Sequence, residues 1–244
     1  MAGYGNALVN ARLAFYENAV EIIPPVTRKL KGLWYFQGLQ AAAIRNLAPG
    51  GLSASLFGTP TFDGDYMVSD GGVSGLETQC PEVAQYTWLW AGTVTGNLTS
   101  AASQPGLMGT FSGSSGACMY VINHATNAFP SASVRANVYD NTNNIAAQNA
   151  TDVDDPHCFA ARVSATGLIL NDLTGNTETA ESAFDAARVI AARNIRIGST
   201  FSPSIAGECK TAACVIYEDD LTDSELDRMY AFLQTEMARS SITI

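Results

Sequence analysis

Asp and Glu make up 23 of the 244 residues, against 13 Lys and Arg, so carboxylates are the most abundant ionisable groups that could do chemistry. Glu218, Asp219 and Asp220 stand side by side. Neighbours on an extended segment point in different directions, so these three cannot all face one cleft. Glycoside hydrolysis needs two carboxylates flanking one bond, and an E-x-D-x-x-E strand that would aim them into a cleft is absent. The expected role of 218–220 is a solvated turn whose charge favours the N-terminus of the helix that follows. The sequence holds two histidines, His124 and His157, and no H-E-x-x-H, G-x-S-x-G elbow or P-loop. These observations predict a protein without catalytic residues and without a bound cofactor.

Calcium is the metal that the residue types would suit. Asp152, Asp154 and Asp155 fall in one loop, and Asp140, Asn141, Asn143 and Asn144 in another. Hard oxygens on flexible loops fit Ca²⁺, but Asp and Asn also dominate turns for local reasons; these are weak candidates. The five cysteines (80, 118, 158, 209 and 214) are scattered and odd in number, which predicts buried, reduced thiols. Cys209 and Cys214 lack a second Cys/His pair that would complete a zinc site. A formal net charge of −10 argues against a nucleic-acid surface, which needs Lys and Arg to replace phosphate counterions. There is no apolar run of membrane-spanning length. MAGYGNALVN has neither a basic nor an apolar region of a signal peptide, so the chain is read as unexported.

Strands dominate the elements that must position these groups. In QYTWLWAGTV (85–94) Tyr86, Trp88 and Trp90 alternate with Thr87, Leu89 and Ala91, and both sets are apolar enough for burial on both faces. Further strands are expected over 33–37, 61–68, 107–111, 117–123, 133–140, 157–164, 168–172, 194–199 and 212–218, separated by turn clusters such as SGSSG and DNTNN. Residues 180–192 read as a helix or a loop. The three tryptophans (34, 88 and 90) fall in strands and are expected in the core, so they offer no aromatic platform. Two helices frame the strands. One, over 5–23, puts Val9, Leu13, Tyr16 and Val20 on one face and ends at Pro24 and Pro25. The other opens with the capping box Thr222-x-x-Glu225 and the staple Leu221/Leu226, and Leu226, Met229, Tyr230 and Leu233 form its apolar stripe.

The ordered set NLAPGGLSASLFGTPTFDGDYM, QYTWLWAGTV, DPHCFAARVSATGLILNDLTG, NIRIGST and CVIYEDDLTDSELDRMYAFL resembles the concanavalin A-like jelly roll in its laminin-G-like branch, over about residues 32–237. The resemblance implies an all-β, two-sheet antiparallel jelly-roll sandwich over 32–244, with an N-terminal helical arm over 1–31 and a short C-terminal helix. It gives His157 a structural place at the start of a strand. Stand-alone modules of this kind look similar to virion proteins of tailed bacteriophages, made in the bacterial cytoplasm. The implied function is a non-enzymatic virion protein of head, tail or fibre; the alternative is a carbohydrate-binding, lectin-like module. The expected partners are other virion proteins and further copies of the chain, with a host-surface glycan as a candidate ligand. The arm is expected to reach a neighbouring subunit through Val9, Leu13, Tyr16, Val20, Arg28, Lys29 and Lys31.

Overall fold

The computed structural model describes residues 22–36, 40–94, 104–123, 132–150, 153 and 155–244. Its strands are numbered β1 to β16 in chain order. One sheet comprises β1 (Leu30–Tyr35), β3 (Thr61–Asp63), β4 (Tyr66–Asp70), β6 (Tyr86–Thr93), β11 (His157–Val163), β12 (Gly167–Asp172), β13 (Thr177–Glu178), β14 (Ser182–Ala183) and β16 (Glu208–Tyr217). The other comprises β2 (Ser55–Phe57), β5 (Gly75–Pro81), β7 (Gly106–Gly109), β8 (Ala117–Asn123), β9 (Ala132–Tyr139), β10 (Asn144–Ala150) and β15 (Asn194–Ile197). The helices are α1 (Gln40–Ala43) and α2 (Asp223–Ala238). The strands named here pair antiparallel, in the orders β13-β12-β11-β6-β16-β4-β3 and β10-β9-β8-β7-β15-β5-β2. This is an all-β sandwich with a C-terminal helix.

Alternation on β6 explains the layering. Tyr86, Trp88 and Trp90 enter the core between the sheets with Phe159, Ile216, Met119 and Val134. Leu89 and Ala91 face the opposite way, into a second core with Val215, Tyr217, Leu226, Met229 and Leu233. Every residue of β6 is buried, because a second sheet covers one face and α2 the other. Thr222 caps α2: its side chain accepts from the Glu225 amide, and Glu225 Oε2 accepts from the Thr222 amide at 3.0 Å. Trp34, Trp88 and Trp90 are buried in the first core, as their strand positions predict.

Several boundaries differ from expectation. The strand expected over 61–68 is a hairpin, because Gly64 takes φ +59 and Asp63 pairs with Tyr66 across a two-residue turn. β2, β5 and β10 were not foreseen; β5 runs GLETQCP and ends in a proline, which masks its period. Residues 180–192 are not helical, because carboxylates take their amides. Asp140 Oδ2 accepts from Asp185 and Ala186 at 2.9 and 3.2 Å, and Glu82 Oε2 accepts from Ala191 at 3.0 Å. Buried Glu82 also pairs with Arg188 and accepts from Thr110, fastening this segment to the second sheet.

The boundary expected between 31 and 32 also moves. Val26 and Leu30 are buried, the Tyr217 hydroxyl donates to the Val26 carbonyl at 2.8 Å, and β1 already pairs with β16 at Leu30. Residues 22–31 thus pack as part of the sandwich. The helix expected over 5–23 lies outside the described residues except for Ile22 and Ile23, which are not helical.

Leu226→Asp would bury a carboxylate against the α2 face of the first sheet. It should lower unfolding free energy by about 3 kcal/mol or more, measured by urea denaturation; an unchanged midpoint would contradict this placement.

A candidate recognition groove between the C-terminal helix and the β12–β13 hairpin

The helix does not cover its sheet completely. Between the first turns of α2 and the β12–β13 hairpin lies a groove of about 310 Å³. Asp172, Asn176 and Glu178 line one wall and Asp223, Asp227 and Tyr230 the other. The hairpin loop is set by its own polar groups. Asp172 Oδ1 accepts from the Gly175 amide at 2.8 Å, and Asn176 adopts φ +50, a left-handed conformation that Asn tolerates.

Arg162 joins the two walls. It lies on β11, on the face that carries Cys158 and Ala160 toward α2, and only 7% of it is exposed. Its Nε donates to Asn171 Oδ1 at 3.1 Å and its Nη2 to Glu178 Oε2 at 2.7 Å. Nη1 donates to Asp223 Oδ1 at 2.6 Å and to the Leu221 carbonyl at 3.2 Å. One guanidinium therefore ties β12, β13 and the start of α2 together. Asp223 also sits in the first turn of α2, where negative charge is favoured.

The groove offers carboxylate and amide oxygens, an amide N–H and one aromatic ring. Tyr230 is half-buried, and burial pushes its phenol up from its ordinary value, so it remains a neutral O–H group. Such a set can accept and donate hydrogen bonds to vicinal hydroxyls, while the ring takes an apolar face. Its net charge is negative, since Asp172, Glu178, Asp223 and Asp227 line it, and Arg162 pairs with Glu178 and Asp223.

The sequence-predicted sites are placed differently. Asp140 is buried and accepts four backbone N–H groups, from Thr142 and Asn143 on Oδ1 and from Asp185 and Ala186 on Oδ2. Those bonds hold its pKa below the usual carboxylate range and occupy it as a loop staple. Asn144 begins β10, and Asn141 takes φ +70 in the turn closed by the bond from the Asp140 amide to the Asn143 carbonyl. Asp152, Asp154 and His124 lie outside the described residues. The Asp155 carbonyl contacts His157 Nδ1 at 3.0 Å, and the His157 ring stacks on Phe159. Among the described residues no group of three or more His, Cys, Asp or Glu could hold a metal ion. All five cysteines are buried, and desolvation pushes the thiols of Cys80 and Cys209 up to about 11.

Of the residues assigned to an assembly contact, Val9, Leu13, Tyr16 and Val20 lie outside the described residues. Arg28 and Lys31 are engaged within the chain. Arg28 grips Glu225 through Nε at 2.6 Å and Nη2 at 2.7 Å, and also pairs with Asp219. Lys31 pairs with Glu218 at 3.1 Å. Lys29 is exposed, with φ +55 and a carbonyl that accepts from the Glu218 amide. The acidic turn expected to be solvated is therefore half-buried, its outer part still in solvent and its charges paired with the basic patch.

On the outer face of the second sheet, Asn137 Nδ2 donates to the Tyr120 hydroxyl at 3.3 Å. Asn137 Oδ1 and the nearby Arg135 Nε are buried without a hydrogen-bond partner among the described residues. Sequence reading missed both polar surfaces. Tyr230 was legible only as part of a helix stripe, and the groove residues come from separate stretches.

No protein-family model matches the sequence, and no curated protein matches it. Solved structures do. The binding domain of botulinum neurotoxin DC, in complex with SialylT, matches with a TM-score of 0.60 at 9% identity, over 85% of this chain and 52% of that one. A botulinum neurotoxin type C structure, described by cell entry dependent upon interaction with two ganglioside molecules, matches with 0.61 at 8% identity, over 84% and 51%. A Trypanosoma rangeli sialidase matches with 0.58 at 13% identity, over 94% and 38%. What they share with this chain is the fold, a two-sheet β-sandwich. This chain spans about half the length of the neurotoxin structures and less of the sialidase.

The Arg28 grip depresses the Glu225 carboxyl to about 2, chiefly through the hydrogen bonds from Arg28 and then those from Thr222. A depressed carboxyl stabilises the fold above its unfolded value of about 4.3 and loses that contribution as pH falls through the folded value. The stability difference between wild type and Glu225→Gln should therefore be flat from pH 7 to about 5 and shrink steadily from about pH 4.3 toward 2. A difference independent of pH across that window, in urea denaturation, would contradict the ion pair.

Proposed function

We propose that this chain is a non-enzymatic recognition module that binds a glycan in the groove between α2 and the β12–β13 hairpin. The observation that carries the reading is the groove itself: carboxylate, amide and phenol groups line it, and a buried arginine ties its two walls together. The neurotoxin structures of similar fold are described with SialylT and with gangliosides, which supports glycan binding as a use of this fold. The ligand proposed here differs in charge. Asp172, Glu178, Asp223 and Asp227 would repel a sialic-acid carboxylate, so the groove favours a neutral or amino sugar.

The setting proposed for the module is a tailed-phage particle, made in the bacterial cytoplasm, where it would contact other virion proteins or further copies of itself while reading a host-surface glycan. The ordered sequence motifs support that setting.

A glycan array probed with the full chain tests the function. Neutral or amino-sugar glycans should bind, and sialylated ones should not. Asp227 is exposed on α2, so Asp227→Ala should leave the melting temperature unchanged and weaken binding at least tenfold. Binding that survives this change, or that is confined to sialylated glycans, would refute the assignment; release of reducing sugar from a bound glycan would refute the non-enzymatic reading.

A further inference from the structure

A second hollow, of about 510 Å³, lies on the outer face of the second sheet, where β5 meets β15. Glu77, Pro81 and Glu82 line one side and residues 190–194 the other. Glu77 faces outward because its strand neighbour Leu76 enters the core between the sheets. Buried Glu82 fixes the rim. Its amide donates to the Arg193 carbonyl at 3.3 Å, and its Oε2 accepts from the Ala191 amide at 3.0 Å. Next to these anchors Ile190 is 41% exposed, and Pro81 and Ala192 are exposed as well. They give the hollow an apolar wall.

Both carboxylates of the hollow are already spent. Glu77 Oε2 accepts from Arg196 Nε and pairs with Arg196 Nη2, each at 3.1 Å. Glu82 pairs with Arg188 and accepts from Thr110. Arg193 is left over. Among the described residues its guanidinium makes no ion pair and no hydrogen bond, and it acts on the Glu82 carboxyl only as the smallest of several influences. The Asn194 side-chain amide likewise has no hydrogen bond among the described residues. Arg193 is nonetheless held in place. Arg196 lies between Phe57 at 4.1 Å and Phe201 at 3.7 Å, and Arg193 packs 4.9 Å from the same Phe201 ring. Such a stack orders the guanidinium before a ligand arrives, which lowers the cost of binding. Two carboxylates face three guanidinium groups here, so the hollow is locally positive in a chain of net charge −10.

We propose that this hollow binds a small aliphatic or aromatic monocarboxylate, its carboxylate on Arg193 and Asn194 and its apolar group against Pro81, Ile190 and Ala192. A guanidinium presents a planar fork that matches the two oxygens of a carboxylate. One free cation beside Glu77 and Glu82 suits a single negative charge and disfavours a phosphate dianion. The volume is that of a small-molecule site. The site is independent of the acidic groove beside α2 and opposite to it in charge.

Titration of the full, nitrogen-15-labelled chain with sodium hexanoate, followed by amide NMR, tests the site. The amides of Ala191, Ala192, Asn194 and Glu77 should shift and saturate, with a midpoint on the order of 1 mM for a ligand of this size. Hexanol lacks the charge and acetate lacks the apolar chain, so each should bind at least tenfold more weakly to the unaltered protein. Arg193→Met keeps a side chain on the Phe201 ring; it should leave the melting temperature unchanged and weaken hexanoate at least tenfold. Shifts that never saturate, or that appear away from these residues, would overturn the proposal. So would equal binding of hexanol or acetate, or hexanoate binding that survives Arg193→Met.

Discussion

A buried guanidinium must have its donors satisfied before anything can pack over it. Arg162 is that group here. Its surroundings on β11 are apolar, Cys158 and Ala160 on its own strand and Leu89 on β6, and α2 lies across them. The helix can seat only where Asp223 and the Leu221 carbonyl reach Nη1, and the hairpin only where Glu178 reaches Nη2. The groove is the space left between two elements that answer to one cation. Its acidic character follows from the same requirement, since Glu178 and Asp223 serve Arg162 and also face the opening.

The opposite side of α2 is held by another long-range arrangement. β1 lies against the second half of β16, and that register places Arg28 and Lys31 over the turn 218–220 and the capping residue Glu225. Glu225 thus has two partners: the Thr222 amide, which starts the helix, and Arg28, which fixes where the helix starts. The N-terminal strand and the C-terminal helix form one unit, although Arg28 and Glu225 stand 197 residues apart.

Local pattern made much of this fold legible. The two apolar sets of 86–91 announced a strand covered on both faces, and Thr222-x-x-Glu225 announced the helix start. Elements whose pattern depends on distant partners were not legible. β2 and β13 are too short to show a period, and the loop 184–193 looks helical until Asp140 and Glu82 take its amides. The polar groups of 28–31 and 218–220 were visible as charge runs, and only the β1–β16 register shows that they neutralise each other. The groove was hidden for a similar reason. Its walls come from 171–178 and 223–230, and the residue that unites them, Arg162, reads in sequence as one charge in an otherwise apolar strand.

The most direct measurement is a crystal structure of the chain with its best-binding glycan from the array. The account predicts a neutral or amino sugar between α2 and the β12–β13 hairpin, hydrogen-bonded to Asp227 and packed on Tyr230. A sugar seated instead on the outer face of the second sheet, beside Tyr120, Arg135 and Asn137, would contradict it.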